Sequence, residues 1–219
     1  MTCNNITKIT KSIPNNIKLI AVTKTKPTSL ILEAYKCNHR DFGENKVQEL
    51  AAKESVLPKD INWHFIGHLQ RNKVKYLASF VHLIHGVDSF KLLKEINKQG
   101  LKNNRIISCL LQFHISSETT KFGLTENEAL TLINSSEYDL LSNIKLCGVM
   151  GMATNTKDKN IIANEFKSLR LIFENLKKYD KTATDFNILS MGMSSDYKIA
   201  INNGSNMLRL GSLIFGKRT

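Results

Sequence analysis

The chain has 219 residues, of which 42% are hydrophobic and 23% charged, which is the composition of an ordinary globular protein with one sizeable core. No run of about 18 apolar residues occurs, and the first residues lack the charged and apolar regions of a secretory signal. These features argue against a membrane-spanning or secreted protein. We therefore expect a cytoplasmic protein with a single domain over residues 1–219.

The net charge of +12 raises nucleic-acid binding as an alternative, because Lys and Arg side chains neutralise phosphates. The lysines, however, are spread along the whole chain and form no basic stripe. We therefore expect neither a nucleic-acid nor a membrane partner.

The four cysteines are Cys3, Cys37, Cys109 and Cys147, and they show no CxxC or Cys/His spacing. This pattern indicates neither a zinc site nor a disulfide framework. We expect buried or incidental thiols and no metal ligands.

Apolar segments rich in β-forming residues alternate along the chain with helical segments, which is the pattern of parallel α/β folds. Each apolar segment is short enough to form one strand of a sheet. The predicted strands are Lys18 to Lys24, Arg40 to Gly43, Trp63 to Gly67, Leu83 to Asp88, Arg105 to His114, Lys145 to Met150, Phe186 to Met191 and Met207 to Phe215.

The helical segments carry apolar residues three and four positions apart, most clearly between Lys157 and Lys178. Thr125-Glu-Asn-Glu128 resembles a capping box, and Asp88-Ser89 supplies a capping residue for another helix. The predicted helices are Ser29 to Lys36, Lys46 to Lys53, Asn72 to Phe80, Ser89 to Gln99, Thr125 to Asn134, Lys157 to Lys178 and Ser195 to Asn202.

Eight such β/α units in one domain predict an α/β fold with a single (β/α)8 barrel of the TIM type, although roughly 250 residues are typical of that fold. An open doubly wound sheet is the alternative. That fold normally has a Gly-rich turn after an early strand, and neither GxGxxG nor GxxxxGK[ST] is present.

In such a barrel the functional face lies at the carboxyl ends of the strands. The first strand ends at Lys24, where an apolar setting favours the neutral amine that attacks an aldehyde. The alternative is an exposed lysine at a strand end, which is common in so lysine-rich a chain.

Small hydroxyl residues end strand seven, and strand eight itself carries Gly211 and Ser212, in the region where this fold often holds phosphate. Ser194 precedes a helix, and Ser212 follows Gly211, which permits close approach of the backbone to a ligand. Alternatively, the segment from Ser194 to Asp196 only caps the helix, and Gly211 only relieves crowding in the barrel.

Strand two ends in Glu44 and Asn45, of which Asn45 offers an amide to a ligand ring and Glu44 a carboxylate to a neighbouring lysine. Either residue is alternatively a helix cap. His64 and His68 flank Gly67 after strand three, but no Ser or Cys nucleophile at motif spacing accompanies them, so hydrogen-bonded structural roles are favoured.

The sequence resembles the YggS/PROSC family, the pyridoxal phosphate homeostasis proteins, which have the fold of the alanine racemase N-terminal domain. The resemblance covers nearly the whole chain in order. The matching segments are Ala21-Val-Thr-Lys-Thr-Lys-Pro27, Phe42-Gly-Glu-Asn45, Val47-Gln-Glu49, Trp63-His-Phe-Ile-Gly-His-Leu-Gln70, Asn72-Lys73, Lys121-Phe-Gly123, Gly148-Val-Met150, Ser190-Met-Gly-Met-Ser194 and Arg209-Leu-Gly-Ser-Leu-Ile-Phe-Gly216.

The resemblance implies a fold-type III binding protein for pyridoxal 5′-phosphate (PLP) without the C-terminal β domain of alanine racemase. It implies that Lys24 forms the covalent Schiff base and that Asn45 lines the cofactor ring. Arg209 falls where the family places a guanidinium near the cofactor, and Ser194, Gly211 and Ser212 match positions that hold the phosphate. In departures from the family pattern, Thr23 stands where Ser is frequent, Ser212 stands where Thr is usual, and the helix before Lys18 looks short.

Two functions then compete: a PLP carrier that serves apo-enzymes, and a weak amino-acid racemase. A racemase needs a second acid or base opposite the lysine, and all five tyrosines lie in or beside predicted helices. We therefore expect a monomeric PLP homeostasis protein that buffers or delivers the cofactor and is not an enzyme. Lys26 and Lys121 are candidates for second amines or, more simply, for solvated or phosphate-steering charges.

Overall fold

The computed structural model describes residues 2–118, 122–179 and 185–216. Eight parallel strands are hydrogen-bonded in chain order, and the last pairs with the first, so the sheet closes into a barrel. This confirms the predicted (β/α)8 barrel. The strands are β1 (Lys18–Val22), β2 (Asp41–Glu44), β3 (Asn62–Phe65), β4 (Leu83–Val87), β5 (Ile107–Phe113), β6 (Ile144–Gly151), β7 (Ile188–Ser190) and β8 (Met207–Leu210).

Helices connect the strands and surround the barrel. The capping box before α5 is confirmed, because Thr125 accepts from the Glu128 N–H and the Glu128 carboxylate accepts from the Thr125 N–H. Ser89 caps α4 by accepting from the Leu92 N–H. The helices are α1 (Thr2–Ser12), α2 (Thr28–Lys36), α3 (Val47–Val56), a 3₁₀ helix (Arg71–Tyr76), α4 (Phe90–Lys102), α5 (Glu126–Ile133), α6 (Ser136–Asp139), α7 (Lys159–Lys177), α8 (Tyr197–Asn202) and α9 (Ser212–Phe215).

The apolar core has two parts, as expected when successive strand residues point to opposite faces. The larger part lies between strands and helices and includes Phe42, Trp63 and Phe166. A separate cluster takes residues from five different strands, which is the arrangement of a barrel interior. Its members are Ile20, Leu83, Leu110, Cys147, Met150 and Met207.

The strand register places the predicted functional residues at one end of the barrel. Val22 pairs with Gly43 on β2, and Ala21 pairs with Leu210 on β8. The segments that follow β1, β2 and β8 therefore start side by side at the carboxyl ends of the strands.

Two predicted segments have a different secondary structure. The eighth strand ends at Leu210, and the predicted continuation from Ser212 to Phe215 is helix α9. The segment predicted as a helix from Asn72 to Phe80 is a 3₁₀ helix that ends at Tyr76. Short apolar runs carry no clear period, so their secondary structure is decided by tertiary packing.

The cysteine prediction is wrong for one pair. Cys3, on α1, forms a disulfide with Cys37, the residue that caps α2, and their Cα atoms are 5.8 Å apart. The two residues are 34 positions apart and meet only because α1 packs against α2, which spacing motifs do not reveal. Cys109 and Cys147 are buried free thiols.

Within the described ranges, no helix has both the length and the apolar character that crossing a lipid bilayer requires.

Candidate functional site

A cavity of about 540 Å³ opens at the carboxyl ends of the strands. All six residues predicted to bind the cofactor line it, so the fold brings together side chains from both ends of the chain. These residues are Lys24, Asn45, Ser194, Arg209, Gly211 and Ser212.

Lys24 follows a residue that a buried ion pair holds in place. The Thr23 hydroxyl donates to Glu44 Oε1 at 2.5 Å, and Lys53 Nζ donates to the same oxygen at 2.6 Å and to the Thr23 carbonyl at 2.8 Å. The Glu44 side chain is fully buried, and that of Lys53 is 8% exposed. The predicted contact of Glu44 with a neighbouring lysine is thus confirmed, and its alternative role as a cap is wrong because α3 is capped at Lys46.

The residue after Lys24 is fixed by the same group of charges. The Thr25 N–H donates to Glu49 Oε1 at 2.7 Å, and Lys53 Nζ lies 2.7 Å from that oxygen. Thr25 has a φ of 63°, a strained value for a β-branched residue. We term Thr23, Thr25, Glu44, Glu49 and Lys53 the lysine clamp, since they hold the backbone on both sides of Lys24.

Burial dominates the electrostatics of Glu44 in this clamp. It raises the pKa of the Glu44 carboxyl, against the hydrogen bonds from Lys53 and Thr23, which lower it. In the described part of the chain, Glu44 Oε2 is buried without a hydrogen-bond partner. The clamp therefore depends on the positive charge of Lys53.

A second wall of the cavity consists of neutral groups after β7 and β8. Ser194 Oγ accepts from the Gly211 N–H at 3.2 Å, which leaves the hydroxyl proton of Ser194 available to an anion. A Cβ atom on Gly211 would lie 3.3 Å from the Val22 carbonyl oxygen, so this segment passes close to β1. Ser212 is exposed beside it.

Asp196 does not cap α8 with its side chain, contrary to the capping alternative for this segment. Its carboxylate instead accepts from the Met193 N–H at 2.5 Å and so folds the turn that carries Ser194.

Arg209 lies at the base of the cavity and is 4% exposed. Its Nη1 donates to Ser190 Oγ at 2.7 Å, and its Nη2 donates to the Gly151 carbonyl at 3.0 Å. Burial lowers the pKa of the guanidinium to about 10, which leaves it charged at pH 7.

The third wall contains residues that the sequence interpretation did not assign to the site. Gly67 contacts the Asn45 backbone so closely that a Cβ atom would collide with the Asn45 carbonyl. His68 stacks on Phe122 with ring centroids 3.9 Å apart and contacts Asp88 Oδ2 through Nδ1 at 2.9 Å. The sequence feature that could have pointed to this wall is Gly67, at the predicted end of strand three.

The other residues considered in the sequence analysis are Lys26, Lys121 and the tyrosines. Lys26 lines the cavity and donates to the Phe215 carbonyl at 3.3 Å. Lys121 lies outside the described residues. Among the described residues that line the cavity there is no tyrosine.

The donor set fits a small molecule that carries both an aldehyde and a phosphate. The amine of Lys24, the hydroxyl groups of Ser194 and Ser212, the backbone at Gly211 and the buried cation of Arg209 all line one cavity. Neutral donors and cations are the groups that bind phosphate in proteins. PLP has this pair of functional groups, and the residues present fit it.

Comparison with known proteins agrees with this chemistry. Residues 3–219 match the family model described as "Alanine racemase, N-terminal domain". Proteins named pyridoxal phosphate homeostasis protein from Aquifex aeolicus and Vibrio alginolyticus are 38% and 36% identical, over 93% and 94% of this chain and 88% of each relative.

Solved structures give the same result. PipY of Synechococcus elongatus, solved with PLP bound, is 28% identical with a TM-score of 0.87, over 99% of this chain and all of that one. Alanine racemase from Bartonella henselae shares the fold alone, with 14% identity and a TM-score of 0.73, over 99% of this chain and 60% of that one. The expected resemblance is confirmed, and the chain belongs to the alanine racemase N-terminal domain family, within its group of pyridoxal phosphate homeostasis proteins.

Proposed function

We propose that this protein binds PLP reversibly in the barrel cavity and acts as a monomeric cytoplasmic carrier that buffers the cofactor and delivers it to apo-enzymes. The observation that carries the proposal is the placement of Lys24 in one cavity with Ser194, Gly211 and Ser212. The names of the relatives and the PLP bound to PipY support it.

PLP supplies an aldehyde that condenses with a lysine amine to form a C=N bond with loss of one water, and hydrolysis reverses this step. Lys24 provides the amine, and the lysine clamp keeps its backbone in place. Ser194 and Ser212 donate to the phosphate, and Arg209 contributes a fixed positive charge that disfavours protonation of the cofactor ring.

Equilibrium titration of the purified protein with PLP, followed by absorbance, tests the binding site. Lys24→Ala is expected to abolish the visible absorbance change, whereas Lys26→Ala is expected to retain it, because Lys24 and not Lys26 lies between the clamp residues Thr23 and Thr25. Retention of the change in Lys24→Ala would refute the assignment and favour Lys26 as the amine.

Delivery is tested by mixing PLP-loaded protein with the apo form of a PLP-dependent enzyme. The activity of the enzyme is expected to recover. If the carrier releases PLP into solution before the enzyme captures it, recovery is expected to reach the same level when a dialysis membrane separates the two proteins. Failure of recovery in both arrangements would contradict the carrier role.

The carrier role also implies that the protein is not an enzyme. All five tyrosines are among the described residues and none lines the cavity, so no tyrosine is placed to act as a second acid or base beside Lys24. Incubation of the loaded protein with L-alanine in deuterated water is expected to give no efficient exchange of the α-proton. Efficient exchange would favour the racemase alternative.

A further inference from the structure

A chain of polar side chains runs through the barrel interior, from the base of the cavity to the amino ends of the strands. Arg209 donates to Ser190 Oγ, and Ser190 Oγ lies 3.2 Å from His85 Nδ1. His85 Nε2 lies 3.0 Å from His64 Nδ1, and His64 Nε2 lies 3.1 Å from Asp41 Oδ1. We term these five residues the buried relay.

The relay is closed to water along most of its length. Ser190, His85 and His64 are fully buried, and they come from three different strands. A buried polar atom without a partner is costly, so each of these groups must be satisfied by its neighbours in the relay. In the described part of the chain, Ser190 Oγ contacts only Arg209 and His85.

The two ends of the relay have fixed charges of opposite sign. Burial raises the pKa of the Asp41 carboxyl, but three effects outweigh it and lower that pKa to about 2: the hydrogen bond from His64, the positive charge that His64 acquires only at low pH, and the charge of Lys18. Asp41 is therefore an ionised acceptor at pH 7, and Arg209 is a donor only.

These charges determine where every proton lies. His64 must carry its proton on Nε2 to donate to Asp41, so its Nδ1 accepts from His85 Nε2–H. His85 Nδ1 is then an acceptor for the Ser190 hydroxyl proton, and Ser190 Oγ accepts from Arg209. Both rings must be neutral, and burial indeed lowers the pKa of His64 to about 4 and that of His85 well below its usual value.

We propose that His85 and His64, oriented by Asp41 at the far end of the barrel, are positioning residues for Arg209. The relay keeps a lone pair of Ser190 directed at the guanidinium, so Arg209 stays at the base of the cavity. The consequence for the cofactor rests on the proposed PLP-binding function, whereas the order of the protons does not.

The surroundings of Asp41 keep this end of the relay charged. Lys18 Nζ lies 3.4 Å and Asn62 Nδ2 3.3 Å from the same Asp41 oxygen that His64 contacts. His82 brings a further ring nitrogen to within 4.8 Å of Asp41 and His64. Because that oxygen already receives three donors, we interpret the group as the ion-paired end of the relay and not as a metal site.

The first test uses cofactor-free protein labelled with ¹⁵N-histidine and measures ring tautomers by NMR at pH 7. His64 and His85 are both expected to be neutral with the proton on Nε2. Asp41→Ala is expected to remove the single tautomer of His64, whereas Asp60→Ala, which removes an exposed carboxylate paired with Arg40, is expected to change neither ring. An Nδ1-protonated or doubly protonated ring in the wild type would overturn the proposal, as would an unchanged His64 in Asp41→Ala.

The second test measures PLP affinity in variants of His85. His85→Leu removes the acceptor for Ser190 and is expected to weaken binding about tenfold or more, because a hydrogen bond to a charged group is disturbed. In His85→Gln the amide oxygen can accept from Ser190 and the amide nitrogen can donate to His64, so affinity is expected to stay within about threefold of the wild type.

Ile84→Ala is the matched control, since it removes a buried side chain from the same strand but from the core beneath the helices. It is expected to lower stability and leave PLP affinity near the wild-type value. Equal affinities of His85→Leu, His85→Gln and the wild type would overturn the positioning role. If the wild type binds no PLP, the proposed function fails, but the histidine tautomers still test the order of protons in the relay. The tautomers serve as the same test if His85→Leu does not fold.

Discussion

The two walls of the cavity are held in place by different kinds of interaction. On the Lys24 wall, the charged groups of the lysine clamp are bonded to one another, with Glu44 and Lys53 buried and Glu49 half-buried. On the Ser194 wall, backbone N–H groups and hydroxyls form single neutral contacts, such as that between Gly211 and Ser194. The wall with the reactive amine is thus held by several charged contacts, whereas the wall proposed for the phosphate retains hydrogen-bond donors that are available to a ligand.

The largest expected effect comes from breaking the clamp. Lys53→Met leaves Glu44 buried without its countercharge and removes one of the two donors to the Thr23 carbonyl, the other being the Lys26 N–H. Removal of one partner of a buried ion pair costs about 3–5 kcal/mol, so the free energy of unfolding in urea is expected to fall by that amount.

Lys59→Met is the control for this variant. Lys59 pairs with Glu54 at 2.7 Å, but its side chain is 66% exposed, and such a pair contributes about 1 kcal/mol or less. Similar losses for the two variants would show that the clamp is no more important than a surface pair.

The next effect concerns pH and His64, one of the two histidines of the buried relay. The pKa of His64 is about 4 in the folded protein and 6.5 in the absence of its surroundings, so only the unfolded chain binds this proton between those values. The contribution of neutral His64 to the free energy of unfolding is complete above pH 6.5 and is lost as the pH falls towards 4. It amounts to on the order of 3 kcal/mol.

Urea unfolding at pH 7 and at pH 4.5 measures this loss. The lowered pKa values of His85, His39 and His82 act in the same direction, since burial is the leading cause for each. His64→Gln is expected to reduce the pH dependence, and a variant with the full wild-type dependence would contradict the role of His64.

A smaller effect is expected on the neutral wall. Ser194→Ala removes a donor proposed for the phosphate and is expected to weaken PLP binding about tenfold. The free energy of unfolding should change by about 1 kcal/mol or less, because a single neutral hydrogen bond to Gly211 is lost.

Ser168→Ala, on the exposed face of α7, is the control and should alter neither quantity appreciably. A large loss of stability without a loss of affinity in Ser194→Ala would reverse the contrast between the walls.

The smallest effect concerns the strain beside Lys24. Asn adopts positive φ more readily than a β-branched residue, so Thr25→Asn is expected to raise the free energy of unfolding by up to about 1 kcal/mol. The backbone N–H of residue 25 still reaches Glu49, so PLP affinity should be retained. A loss of stability would show that the Thr25 side chain supports the clamp.

Most of the fold was predictable because its signals are local. Alternating apolar and helical segments indicated eight β/α units, and the position of Lys24 after a buried strand pointed to the cavity. The apolar run from Ser212 to Phe215 was misassigned as a strand, because four residues are too few to distinguish the two periods.

The interior of the site depends on contacts that no local pattern encodes. No local pattern indicated a partner for His85, and its contact with Ser190 spans 105 positions. Likewise, Asp41 and His64 are 23 positions apart and meet only across paired strands. A histidine within the apolar segment Leu83–Val87 was the one available signal, since a buried polar side chain requires a partner.

Reductive trapping of the bound cofactor tests the central claim most directly. The protein is incubated with PLP, reduced with borohydride, digested and mapped by mass spectrometry, so that the amine bonded to the cofactor is identified. We expect the label on Lys24 alone, with no label in Lys24→Ala. Label on Lys26 or on any other lysine in place of Lys24 would contradict the account.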